Sequence, residues 1–247
     1  MTTRANGRRS DELRPVRITR RYLKHAHGSC LIEVGDTVVL CAANVSDGVG
    51  AWLRGKGKGW VTAEYAMLPS STHERKRRET GAGGPGGRTH EIQRLIGRSL
   101  RTVTDMRALG EVTVNVDCDV IQADGGTRTA AITGAWIALH DALETWREAG
   151  KLASSPLLDS IAATSIGMVD GELLLDLDYS EDSRAEVDMN VVTDSHGRFV
   201  EVQGTGERTT FDRARLDTML DLASAGTAQL AAIQRKLIEE GSLTYGF

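Results

Sequence analysis

The stretch CDVIQADGGTRTAAITGAW, residues 118–136, decides how the rest of the chain is read. It continues EVTVNVDCDVIQ (111–122), where apolar residues recur at every second position, as on a strand with one buried face. Beyond Asp124, Gly125 and Gly126 the period changes. Ile132, Ala135, Trp136, Leu139, Leu143 and Trp146 follow helical spacing, and Gly150 marks where that helix should stop. A strand thus passes through a glycine turn into a helix whose first N–H groups lack carbonyl partners. Those groups and the positive end of the helix dipole favour an anion; glycines let it approach, Thr127 offers a hydroxyl, and Arg128 offers a two-pronged cation. The same residues also fit an ordinary helix start, with Thr127 as cap and Arg128 in solvent.

Upstream the pattern is similar. SCLIEVGDTVVLCAANV (29–45) holds two β-rich runs split by Gly35-Asp36, a hairpin signal, and GWVTAEYAML (59–68) adds a strand. In RTHEIQRLIGRSLRTVTDM (88–106), Ile92, Leu95, Ile96, Leu100, Val103 and Met106 give a helical stripe, with Arg94, Arg98 and Arg101 on the other side. Arg88 again follows glycines and again opens a helix, although the run from Gly81 to Gly87 also reads as a flexible linker. Neither helix start is a nucleotide P-loop, because no Gly-Lys-Ser/Thr follows at the required spacing. Downstream, hairpin turns are expected at Asp170-Gly171 and at Ser195 to Gly197, and a last helix over 212 to about 239. Strands joined by hairpins and mixed with helices predict an α+β domain of two similar strand-helix halves, with 111–150 opening the second.

Charge is unevenly spread. The net charge is -4 over 247 residues, yet residues 1–24 carry eight Lys or Arg against two acids, and residues 72–101 carry eight against three. Such segregation fits a basic face for RNA or phosphate, and equally a solvated helix face. Arg75, Lys76, Arg77 and Arg78 are adjacent and cannot all face a core, so a mobile basic loop able to hold RNA is expected there, with the arginines of residues 4–21 as the next candidates. In LDLDYSEDSRAEVDMNVV (175–192), Asp182 stands in a turn and Asp188 opens a buried strand, a position suited to a hard cation or to proton transfer. The neighbouring acids read as solvated. Cys30, Cys41 and Cys118 sit among apolar residues and are expected to be buried thiols, and no histidine shows ligand spacing. No apolar run is long enough to span a membrane and the charged first 24 residues do not suit a signal peptide, so a cytoplasmic location is expected.

Seven segments together resemble the ribonuclease PH family of phosphate-dependent 3' exoribonucleases. They are LRPVRITR, GDTVVLCAA, GWVTAEYAMLP, GGRTHEIQRLIGRSLR, DCDVIQADGGTRTAAITGA, LDYSEDSRAEVDMNVV and EVQGTGE, in order from about Leu13 to Phe211. The resemblance implies a single domain over 1–247, with 1–12 open to disorder and about 212–247 forming a C-terminal helical segment. It implies orthophosphate binding by Arg88, Gly126, Thr127 and Arg128, and catalysis and divalent-metal binding, magnesium being the metal expected, by Asp182 and Asp188. It further implies trimming of 3' tails of tRNA precursors, with ribosomal RNA as a second target, release of nucleoside diphosphates, the reverse addition of nucleotides, and a hexameric ring built as a trimer of dimers. A ring subunit that binds RNA without catalysis would be expected to lack one of the four charged site residues, and a metal-dependent hydrolytic nuclease would need no phosphate. Ser70 departs from the arginine that often follows LP in the family, which bears on one RNA contact.

Overall fold

The structure is a computed structural model describing residue 4, residues 6–79 and residues 84–246. Two sheets and the helices between and beside them make the fold. The first sheet is ordered β10-β1-β2-β3-β5-β4, from β1 (Val16–Arg20), β2 (Gly28–Val34), β3 (Thr37–Asp47), β4 (Trp60–Met67), β5 (Val112–Gln122) and β10 (Thr244–Tyr245). The second is ordered β7-β6-β8-β9, from β6 (Ile161–Val169), β7 (Glu172–Leu175), β8 (Val187–Asp194) and β9 (Phe199–Gly206). Both expected hairpins of two-residue loops are present: Val34 pairs with Thr37 around Gly35, and Val169 pairs with Glu172 around Asp170-Gly171, both with positive φ.

The helix α3 (Thr127–Glu148) lies between the sheets, packed on β2 and β3 on one side and on β6 on the other. Burial on two sides explains its composition. Small residues run through it, and at the crossing with β2 a Cβ on Gly28 would stand 2.1 Å from the Ala138 carbonyl oxygen, so the strand needs glycine there. Its side chains from Thr129 to Leu139 are all buried, as are Leu143 and Trp146. The helix ends at Glu148 with Gly150 at φ 73°, as its sequence implies.

Three expectations change in detail. The stripe read through Met106 breaks, because α1 (Gly87–Thr102) ends early and Asp105 accepts from the N–H groups of Arg107 and Ala108 to start a separate turn, α2 (Met106–Leu109). Arg101 is not simply on the open side: it donates to the Val61 carbonyl at 2.9 Å and stacks 4.3 Å over Trp60. The strand read as opening the second half belongs to the first sheet, where β5 runs parallel to β4 after the α1 crossover and antiparallel to β3. The α5 helix (Arg213–Glu239), capped by Asp212, packs Met219, Ala223, Leu230 and Leu237 inward, and Gln234 donates to the carbonyls of Thr133 and Ile161. The final helix is therefore part of the core. Among the described residues no helix is long and apolar enough to cross a membrane.

Candidate active site

The turn at 124–126 is built to leave a helix start open. Gly126 is the N-cap of α3 at φ 62°, no side chain caps the helix, and the first carbonyl partner taken up is Gly126 O, by the Ala130 N–H at 3.0 Å. The N–H groups of Thr127, Arg128 and Thr129 are thus free of intrahelical bonds. Thr127 is not the cap that its position suggests; its hydroxyl shares a 2.8 Å hydrogen bond with the Tyr65 hydroxyl. Gly125 (φ 75°) is required by space as well as by φ, because a Cβ there would lie 2.5 Å from the Leu177 carbonyl oxygen. Thr37 donates to the Gly125 carbonyl at 2.6 Å and accepts from the Asp124 N–H at 3.0 Å.

The second helix start faces the same cavity. Gly86 is the N-cap of α1 in extended conformation, again without a side-chain cap, and Arg88 is again the second helical residue. Its side chain is exposed and has no hydrogen-bond partner among the described residues. Arg128 is held more firmly: its side chain is 13% exposed, it donates to Gln203 Oε1 at 2.8 Å, and Gln203 in turn bonds Glu91 of α1.

The carboxylates come from the second sheet. Asp178 and Glu181 form a capping box around the short helix α4 (Tyr179–Asp182), which ends on Asp182, and Asp188 is the second residue of β8. A cavity of about 760 Å³ is lined by Arg88, Gly126, Thr127, Arg128, Asp182 and Asp188 together, all six residues that the sequence assigns to phosphate and catalysis. Burial disfavours charge on both aspartates. Asp182 is pushed up from the usual carboxylate range, with Arg88 and Arg128 opposing. Asp188 is pushed up to about 6, first by burial and then by Asp182, again against the pull of Arg128. Two oxygen-donor carboxylates that resist ionising together, beside the amide of Asn190 at 3.4 Å from Asp188, suit a hard divalent cation, whose charge would relieve both.

Of the basic run, Arg75 and Lys76 line the cavity while Arg77 and Arg78 are exposed outside its lining. The base of this segment is tied down by Lys76 N–H to Pro69 O and by Ala123 N–H to Ser71 O, each 2.8 Å. Residues 80–83, within the glycine run read as a linker, lie outside the described residues. Ser70 is exposed.

The first arginines of the chain are placed otherwise than their local sequence suggests. Arg4, Arg8, Arg14 and Arg20 are buried, their charges met by Glu181, Asp176 and Asp141. These four therefore offer no free face to RNA, whereas Arg9, Arg17 and Arg21, also within residues 4–21, are exposed, and the described part of residues 1–12 is held against the second sheet. Glu181, read as solvated, is buried with them. All three cysteines are buried free thiols. Sequence reading also missed Tyr65, Gln203, Glu207 and Arg208; the last two line the cavity, Glu207 as the end of the EVQGTGE segment and Arg208 as the residue after it, and the pattern that marked the family did not mark these positions. His196, without ligand spacing in the sequence, meets Asp159 and Asp194 at the β8–β9 turn, where Ser195 and Arg198 already bond those carboxylates.

Family models described as 3' exoribonuclease family, domain 1 and domain 2, match residues 12–143 and 159–226. The chain is similar to a ribonuclease PH of Mycobacterium sp. (strain KMS), 58% identical over 240 residues, covering 97% of this chain and 92% of that protein. Its fold is similar to rice (Oryza sativa) Rrp46, with a TM-score of 0.77, 22% identity, and coverage of 95% of this chain and 100% of the other. It is also similar to the Archaeoglobus fulgidus exosome with RNA bound to the active site, with a TM-score of 0.76, 22% identity, and coverage of 98% and 93%.

Proposed function

Because the chain belongs to the ribonuclease PH family of 3' exoribonucleases, and is a phosphate-dependent nucleotidyltransferase acting on tRNA precursors, we propose that the 760 Å³ cavity is where its phosphorolysis takes place. The observation that carries the assignment is the convergence of two uncapped, glycine-led helix starts, each with arginine second, on one cavity that also holds two aspartates.

Orthophosphate sits between Arg88, Arg128 and the free N–H groups at the start of α3, with Gly126 allowing close approach and Thr127 fixed by Tyr65 alongside. One of its oxygens attacks the phosphorus of the terminal phosphodiester. The bond from that phosphorus to the 3' oxygen of the preceding nucleotide breaks, and the terminal nucleotide leaves as a nucleoside diphosphate. The proton carried by hydrogen phosphate ends on the released 3' hydroxyl, so atoms and charge balance. Run backwards, the same steps add a nucleotide to a 3' end. Two anions must meet, and the arginines oppose their repulsion while the protein fixes their orientation.

Asp182 and Asp188 would hold a divalent metal, magnesium by preference for carboxylate oxygen; when bound it neutralises charge on the phosphate being cleaved. Asp188 has a second reading, as the group that hands a proton to the leaving 3' oxygen, favoured by its upward shift to about 6. Arg75, Lys76, Arg77 and Arg78 hold the body of the RNA at the mouth of the cavity, and ribosomal RNA is a second substrate. The working enzyme is a cytoplasmic hexameric ring, a trimer of dimers.

A 3'-tailed tRNA precursor incubated with magnesium, with and without orthophosphate, tests this reading. Shortening should require orthophosphate and yield nucleoside diphosphates. Equal shortening in phosphate-free buffer, with monophosphates released, would overturn it in favour of hydrolysis.

A further inference from the structure

We infer that Arg14 is a positioning residue for orthophosphate: it fixes the carbonyls of the 124–126 turn and so aims the open start of α3. The inference rests on the assignment of that turn to phosphate.

Arg14 lies in no strand or helix and never enters the lining of the cavity. Its side chain is 4% exposed. One end of its guanidinium is anchored by Asp176, with Nε to Oδ2 at 3.0 Å and Nη2 to Oδ1 at 2.8 Å, and the Arg14 N–H also donates to Oδ2 at 2.8 Å. The other end turns toward the phosphate loop: Nη1 donates to the Asp124 carbonyl, and Nη2 approaches the Gly125 carbonyl at 3.4 Å. Carbonyls drawn backward in this way orient the peptide units whose opposite faces carry the N–H groups of Gly125 and Gly126. Thr37 grips the Gly125 carbonyl from the neighbouring strand, so two side chains from distant parts of the chain hold one turn.

The anchor is itself secured. Asp176 has a positive φ of 54°, and its carbonyl accepts from both Arg4 and Arg8 at 3.0 Å. Arg4 is paired with Glu181, the residue before Asp182. Burying several guanidinium groups and carboxylates is an expensive way to fill a core, since apolar residues of like volume often serve stability as well or better. What an apolar core cannot supply is direction. A planar fork that joins Asp176 to two carbonyls fixes a turn whose glycines would otherwise be loose.

The test uses the full chain and measures initial rates of RNA shortening across an orthophosphate series and, separately, an RNA series. Arg14→Lys keeps the charge but loses the fork; Thr37→Val keeps the volume but loses the hydroxyl on the Gly125 carbonyl. Each should raise the KM for orthophosphate about tenfold or more and leave the KM for RNA within about twofold, because sub-ångström misplacement of a binding group weakens what it holds. A purely structural role would lower the melting temperature and the active fraction, reducing kcat with both KM values unchanged, and that result would overturn the inference. If Arg14→Lys does not fold, Thr37→Val decides alone. Arg128→Ala measured in parallel separates the two layers of argument. If Arg128→Ala loses its response to orthophosphate while Arg14→Lys and Thr37→Val keep the parental KM, the cavity assignment stands and the role of Arg14 falls. If Arg128→Ala itself keeps the parental orthophosphate KM, the assignment on which the inference rests is wrong.

Discussion

The helix starts at Gly86 and Gly126 have nearly the same order, glycine followed closely by arginine and threonine, and very different support. Gly126 sits on a turn gripped by Arg14 and Thr37, and its helix is buried between two sheets. Gly86 follows a glycine run, and Arg88 stands exposed with no bonding partner among the described residues. One start is fixed before any ligand arrives; the other has a charge free to move onto it. On the proposed function, the difference becomes a division of labour, in which α3 would define where the anion sits and Arg88 would close on it. Preorganised donors act without reorganisation at the moment of reaction, whereas a mobile cation must give up side-chain freedom on binding.

The largest expected effect is loss of either arginine. Arg88→Ala and Arg128→Ala should each remove about 2 to 4 kcal/mol of transition-state stabilisation, by analogy with the loss of one oxyanion donor, read as kcat/KM for orthophosphate. The lysine variants sharpen the comparison. Arg88→Lys should recover a good part of the activity, since an exposed side chain acting as a charge can be replaced by another. Arg128→Lys should recover little, because Gln203 and the anion both need the fork. Equal rescue at the two positions would end the distinction.

Next in size is the contrast between the glycines. Gly125→Ala must shift a backbone that has φ 75° and a carbonyl 2.5 Å from the new methyl, and should lower stability by about 1 to 3 kcal/mol in denaturant melts as well as raising the KM for orthophosphate. Gly86→Ala has φ -68° and meets only Glu79 Oε1 at 3.6 Å, so it should be nearly neutral in stability. If the two variants behave alike, the turn at 124–126 is no more constrained than the approach to α1.

The smallest effect concerns the basic run on the Arg88 side. Replacing Arg75, Lys76, Arg77 and Arg78 with alanine should flatten the salt dependence of tRNA-precursor affinity by about 1 to 3 units of log-log slope, with turnover of a short RNA nearly unchanged. An unaltered slope would mean that these cations are merely solvated.

Much of this was legible in the chain because burial imposes a period. The alternation in 111–122 and the helical spacing from Ile132 to Trp146 are direct records of which faces are covered. That Arg88, Gly126, Thr127, Arg128, Asp182 and Asp188 belong to one cavity was legible because residue type, spacing and family pattern agreed. The arginines at 4, 8 and 14 were not. Their partners Glu181 and Asp176 lie 177 and 162 residues away, and a local run of cations carries no mark of a distant acid that will bury it. The end of α1 at Thr102 was hidden for a different reason: Val103 and Met106 keep the helical spacing by packing on the core, while Asp105 starts a new turn. Assignment of 112–122 to the first sheet needed the pairing of β5 with β4, which periodicity within one strand cannot reveal.

The burial of α3 between two sheets has one more consequence. Its first turn is the proposed anion site and its middle, from Ala130 to Leu143, is shared interior of both sheets, so the amides of that middle stretch do not exchange with solvent through a small local opening. They are released only when the sheets part. A ligand held at the first turn therefore slows exchange along this buried stretch, and occupancy at one end of the helix is felt as rigidity in its middle.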